Sequence, residues 1–133
     1  ISFKRKITME TNNLVDRIYY HYKDLARVIY AYYENKPYVP EDLDVDKFTE
    51  MCGKNLILTN PSVIFDFLER NDVKLAIIHK FATNYQYSVT YTNNFICGLD
   101  CESRKEAEYR SVMTAIDLLN KAMKSGKIIK YIK

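Results

Sequence analysis

Residues 85–91 read Tyr85-Gln86-Tyr87-Ser88-Val89-Thr90-Tyr91, with a ring or branched side chain at every second position and a polar one between. Successive side chains of a strand point to opposite faces, so this alternation predicts a β-strand with one buried and one wet face. Asn93-Asn94 follows, and asparagine tolerates positive φ, so a tight turn is expected there. Phe95, Cys97 and Leu99 alternate again as a third strand. Upstream, Leu75, Ile77, His79 and Phe81 fall on one side of a first strand within residues 73–82. Three strands joined by turns this short make an antiparallel meander.

Helical signals flank the meander. Before it, Asn60-Pro61-Ser62 places a cap residue ahead of a proline at the first helical position, and Val63, Ile64, Phe67 and Leu68 form a stripe that Asn71-Asp72 ends. After it, Ser103 and Glu106 have the spacing of a capping box. Ala107, Ser111, Ala115, Leu118 and Ala122 then make one stripe, with Val112, Ile116, Leu119 and Met123 beside it. The small residues let this helix lie close on the sheet, and Gly126 ends it. Ile128, Ile129, Tyr131 and Ile132 are too apolar for a free tail, so a short strand or docking on a partner is expected.

The first part of the chain reads as helix. Leu14, Ile18, Tyr22, Leu25, Ile29 and Tyr33 recur at steps of three or four, which predicts one amphipathic helix over residues 13–35. Asn12 or Asn13 is its expected cap, and Pro37 and Pro40 its end. A shorter helix is expected over Val45 to Cys52, with Gly53 as its cap. The fold class is therefore α+β. A three-stranded antiparallel meander packs on helices in the order α-β-β-β-α (residues 59–133), after an N-terminal helical extension (residues 1–58), the two forming one compact unit.

The 133 residues are 47% hydrophobic and 14% aromatic, enough for a core, and three Gly with three Pro leave little linker. No run approaches the roughly 18 to 20 apolar residues that span a bilayer, and the basic start (Lys4, Arg5, Lys6) lacks a following apolar run, so neither a membrane segment nor a leader is expected. Three cysteines in a chain of this kind imply a reducing, intracellular compartment: the cytoplasm, or the host's if the protein is viral. A net charge of +3 does not by itself imply nucleic-acid binding. Its distribution is uneven. Glu34 to Glu50 holds six acids and two lysines, whereas Lys121, Lys124, Lys127, Lys130 and Lys133 follow one another with no acid between. A solvated acidic loop and a solvated basic tail account for both.

Little points to catalysis. His21 lies among tyrosines and His79 on an apolar strand face, where a packed histidine is the simpler reading. No Gly-rich loop is available to cradle phosphate, so no catalytic residue and no cofactor are expected. Cys97-x-x-x-Cys101 with His79 offers three metal ligands without a fourth, and Cys97 between Phe95 and Leu99 reads better as core, so no metal is expected. The run Glu41-Asp42-Leu43-Asp44-Val45-Asp46 lacks the central Gly and terminal Glu of a calcium loop. It reads as helix capping and surface.

From Asn60 to Met123, about half the protein, the chain resembles the double-stranded RNA-binding domain. The resemblance rests on the Asn60-Pro61-Ser62 opening, three antiparallel strands and a second helix starting Arg104-Lys105-Glu106-Ala107. It implies that Arg104 and Lys105 take the first two basic positions of the family's phosphate-contacting motif, while the third is Glu108. The family's minor-groove glutamate falls at Phe67, and its long loop between the first two strands is here Ala82-Thr83-Asn84. The same residues also resemble small phage and prophage proteins of AT-rich bacteria. There the resemblance rests on Phe65-Asp66-Phe67, the meander and the Glu106-Ala107 pair. Abundant Lys, Asn, Ile and Tyr without Trp fit such a genome.

Two functions follow as expectations. The first is a non-enzymatic interaction protein, of phage or mobile-element type, that binds a protein partner or a second copy of itself. Its contact would be the tyrosine-rich helix, through Tyr19, Tyr20, Tyr22, Tyr30, Tyr32 and Tyr33. The alternative is a module for double-stranded RNA or other nucleic acid using Arg104, Lys105, Lys121, Lys124 and Lys127.

Overall fold

The computed structural model describes residues 14–133. The expected cap at Asn12 or Asn13 and the basic start lie outside the described residues. The chain divides into two compact units, one holding the residues up to Thr59 together with Tyr131–Lys133, the other Asn60–Lys130. The class is α+β, with the order α-β-β-β-α in the second unit and helices before it.

In the first unit, residues 14–21 are helical (α1), and a second helix, α2, spans Lys23–Tyr33. The single helix expected over residues 13–35 is therefore broken. Tyr22 leaves helical geometry (φ −135°, ψ 52°) although its N–H still donates to the Ile18 carbonyl at 3.0 Å. The run Tyr19-Tyr20-His21-Tyr22 is a cluster of weak helix formers, which places the break there. The apolar stripe survives it: Leu14, Ile18, Leu25 and Ile29 are all buried. Helix α2 stops at Tyr33, three residues ahead of the lysine that precedes Pro37, and Asn35 takes positive φ.

Helix α3 spans Val45–Lys54 and buries Phe48, Met51 and Cys52. Asp44 caps it by accepting from the Lys47 N–H at 2.8 Å, so the acidic run does serve as a cap. Its end is later than expected. Gly53 sits inside the helix, Asn55 closes it, and the left-handed residue is Leu56.

In the second unit, Pro61–Ile64 form a turn of 3-10 helix that leads into α4, Phe65–Arg70. Asn60 makes no side-chain cap bond, so the expected cap reduces to Pro61 at the first position. Ile64, Phe67 and Leu68 are buried, and Asn71 followed by Asp72 at positive φ ends the helix.

Strands β1 (Val73–Phe81), β2 (Asn84–Tyr91) and β3 (Asn94–Cys101) form one antiparallel sheet in the order β1-β2-β3. Helix α5, Arg104–Lys124, packs across β2 and also meets β1 and β3, while α4 meets β1. Paired residues share a face, so the register fixes both faces. Val73, Leu75, Ile77 and His79 pair with Tyr91, Val89, Tyr87 and Tyr85. Tyr91, Val89, Tyr87 and Tyr85 continue to Asn94, Ile96, Gly98 and Cys101. This is the helix-covered face, and Val73, Val89, Tyr91 and Cys101 are its buried centre.

Three strand expectations change. The β1 register shifts between His79 and Phe81, which takes Phe81 out of the buried row and leaves it 67% exposed. The β2–β3 turn is Thr92-Asn93, with Thr92 at positive φ, and Asn94 already pairs with Tyr91. Pairing Asn94 with Tyr91 then puts Phe95, Cys97 and Leu99 on the opposite face from Val89, where they are exposed rather than core. A strand's side-chain period is two, so the register decides which set is buried.

Candidate functional site

The amino end of α5 is capped by Ser103, whose Oγ accepts from the Glu106 N–H at 3.1 Å as the capping box predicts, while Glu106 Oε2 accepts from the Glu102 N–H at 2.9 Å, one residue ahead of the cap. Three of the five basic residues of this helix are matched by acids one turn away. Arg104 lies 3.7 Å from Glu108, Arg110 3.0 Å from Glu106, and Lys121 3.0 Å from Asp117. The expected nucleic-acid set does not converge. Arg104 and Lys105 open the helix, and Lys121 and Lys124 close it, about 25 Å further along at 1.5 Å per residue. At about 100° per residue the two ends also face different directions. Lys127 is turned inward, its Nζ lying 4.5 Å from the centre of the Tyr91 ring. Phe67, at the family's glutamate position, is fully buried.

The tyrosine-rich stretch serves mainly to pack its own unit. Tyr32 is buried, and the Lys133 ammonium lies 4.8 Å from its ring centre and 5.7 Å from that of Tyr33. The Tyr19 hydroxyl donates to the Leu43 carbonyl at 2.6 Å, and its ring meets those of Tyr20 and Phe48. Tyr22 and Tyr30 are half-buried, and Tyr20 is the one exposed ring of the six.

Beside Tyr19 lies an open polar recess of about 520 Å³, lined by Lys23, Arg27, Asp42, Asp44 and Lys47 among others. Arg27 spans it, pairing with Asp24 and donating to the Glu41 carbonyl at 2.7 Å. Mixed charges in an open recess favour no single ligand charge.

The three candidate metal ligands are held apart. His79 stacks on Tyr85 at 4.4 Å, and its Nε2 meets the Ala82 carbonyl at 3.1 Å. Cys101 is buried on the same face, and Cys97 is exposed on the other. Burial pushes the Cys52 thiol up to about 12. Burial also raises Cys101, followed by the neighbouring Glu106 carboxylate, with Arg110 working the other way and Asp100 adding a further rise. Burial thus favours the protonated form of both thiols, the less nucleophilic one.

The uncovered face of the sheet is the surface that sequence reasoning missed. It carries Lys74, Thr90 and Phe95 in one row, Ala76, Ser88 and Cys97 in the next, and Ile78 beside Gln86. Leu99 follows Cys97 by alternation. Phe95 is 66% exposed, Leu99 59% and Ile78 44%. The signal was present in the turn: any two-residue turn pairs odd positions of β2 with even positions of β3, so Phe95, Cys97 and Leu99 share the face of Thr90 and Ser88 whether Thr92-Asn93 or Asn93-Asn94 closes it. Among the described residues no helix is long and apolar enough to cross a membrane. No family model, no curated protein and no solved structure matches this chain.

Proposed function

We propose that this chain is a non-enzymatic interaction protein that binds a protein partner, and that the uncovered sheet face of Asn60–Lys130 makes the contact in place of the tyrosine-rich helix. The supporting observation is the gathering of Phe95, Leu99 and Ile78, three large apolar side chains in contact with water, on one side of a sheet whose other side is packed. Single exposed apolar residues are ordinary on a protein surface, whereas three on one sheet face favour an interaction site. Three free thiols fit a reducing cell interior, and an origin in a phage or mobile element remains part of the same proposal on compositional grounds. The nucleic-acid alternative keeps the shared order of elements. The i,i+4 acids beside Arg104, Arg110 and Lys121 count against it, because they spend those cations within the helix.

A photo-crosslinking residue placed at position 95, 20 or 105, in the cells that naturally hold this chain, tests the reading. The expected result is a discrete protein adduct from position 95 that is rebuilt from purified components and weakened by Phe95→Ser. Adducts from position 20 or 105 alone would return the contact to the tyrosines or to α5. Sub-micromolar binding of short duplex RNA that falls steeply with salt and is lost in a charge reversal of Arg104 and Lys105 would establish the alternative.

A further inference from the structure

Resting on that reading, we propose that the partner is a second copy of this chain, joined edge to edge through β3 so that two three-stranded sheets become one. Among the described residues β3 pairs only with β2, so one side of its backbone is unpaired. Such an edge is a template for another strand unless charge, proline or a bulge guards it.

The hairpin decides which backbone groups are free. In a two-residue hairpin the pair flanking the loop exchanges both hydrogen bonds, which here makes Tyr91 and Asn94 a bonded pair. Bonded pairs alternate, so Ile96 and Gly98 also direct N–H and C=O toward β2. Phe95 and Cys97, and by continuation Leu99, direct theirs outward. Their side chains are the exposed apolar ones, so backbone and side chain offer the same three residues.

Parity then restricts the register. Outward residues pair only with outward residues, and the antiparallel register with the greatest overlap has its two-fold axis at Cys97. Cys97 then faces Cys97 of the second copy, and Phe95 faces Leu99 in both directions. A two-fold contact sets each group against its own image, so a charge near the axis repels itself. Residues 94–99 carry no charge. The other edge is different. Self-pairing of β1 about Ile77 would bring Lys74 opposite Lys80, and the irregularity at His79/Phe81 distorts that strand. The register shift of β3 lies beyond Gly98, leaving 94–98 regular. In the register of greatest overlap for each edge, β3 alone sets no like charges together. The six residues 94–99 are far fewer than the roughly 20–30 a side of a standard stable interface, so the dimer is a reversible one.

Light scattering on the purified chain over a millimolar-to-micromolar dilution series reads the proposal directly. The expected result is twice the 15.7 kDa chain mass at the concentrated end, falling to the single mass on dilution. Cys97→Lys puts like charges on the axis and is expected to raise the dissociation constant by more than about tenfold, whereas Cys97→Ser and Ala76→Lys keep the dimer. Diamide, reduced to the hydrazine as it takes up two thiol protons and two electrons, is expected to join two Cys97 thiols as a disulfide. The opposed Cα atoms of a bonded pair, about 5.5 Å apart, lie within reach of that bond, and Cys97→Ser abolishes it. A single-chain mass at every concentration with no disulfide dimer overturns the proposal, as does a dimer indifferent to Cys97→Lys. Either failure, with a heterologous adduct at position 95, leaves the sheet-face reading standing. Failure of both experiments removes both readings.

Discussion

Asn71 clasps the backbone of Lys130, 59 positions away: its Nδ2 donates to the Lys130 carbonyl at 3.1 Å, and its Oδ1 accepts from the Lys130 N–H at 2.7 Å. The same Nδ2 donates to the Phe67 carbonyl at 3.0 Å, so one buried side chain ties the end of α4 to the segment after α5. This holds the tail without a strand and buries Ile129 beside it, while Ile128 stays 86% exposed. Asn71→Ala removes all three of these hydrogen bonds to the backbone and is expected to cost about 2–3 kcal/mol. Urea denaturation measures the loss, and amide exchange at Lys130 shows whether the tail is released.

The capping box of α5 predicts a smaller effect. Ser103→Ala removes the acceptor of the Glu106 N–H and is expected to destabilise by about 1 kcal/mol, with Ser103→Gly costing only a few tenths. Paired thermal melts of the two variants separate loss of the cap bond from any general effect of changing residue 103.

Gly98 lies under the ring of Tyr87, its partner across β2 and β3, and a Cβ added there would overlap that ring. Gly98→Ala is therefore expected to cost about 1–3 kcal/mol through displacement of Tyr87 from the covered face. The double change Gly98→Ala with Tyr87→Val should recover part of it. Equal losses in the single and double variants would place the strain elsewhere.

The two faces of the sheet predict opposite costs. Val89 is fully buried and Phe95 is 66% exposed, although both look apolar in the sequence. Val89→Ala should lose about 1–3 kcal/mol, whereas Phe95→Ser at low protein concentration should stay within about 0.5 kcal/mol. A large loss for Phe95→Ser under those conditions would mean that its face is covered.

The thiols carry a pH signature. The thiol of Cys52 is raised from 9.0 to about 12 in the fold, so folding disfavours its thiolate. Its contribution to stability is whole below the unfolded value and is lost as pH rises from about 9 toward 12, because only the unfolded chain releases the proton. Cys52→Ala should flatten that decline. At pH 8 a thiol reagent should modify Cys97 first, with Cys52 and Cys101 following only when the chain opens.

Much of the second unit was legible. The alternation in Tyr85-Gln86-Tyr87-Ser88-Val89-Thr90-Tyr91, the stripe of α5 and the Ser103 box are local features, and their period alone fixes the element type. The N-terminal helix was legible as a stripe but not as two pieces, because the periodicity of Leu14 to Ile29 continues through the break at Tyr22. The tyrosine cluster was over-read. Six rings in fifteen residues look like a surface, and only packing shows that Tyr32 is interior while Tyr20 is not.

By itself, the sequence determined the class, the element order and the covered face of β2, because hydrophobic periodicity and cap chemistry act within a few residues of the chain. The tertiary structure decided the rest. Pairing across the second turn set Phe95 beside Thr90 and Cys97 beside Ser88, on the surface instead of in the core, since the period of a strand is two and register is set by pairing. Packing, not residue type, divided three cysteines into two buried thiols and one exposed one. Acids a turn away occupied cations that looked free in one dimension, because only the helix brings Glu108 beside Arg104.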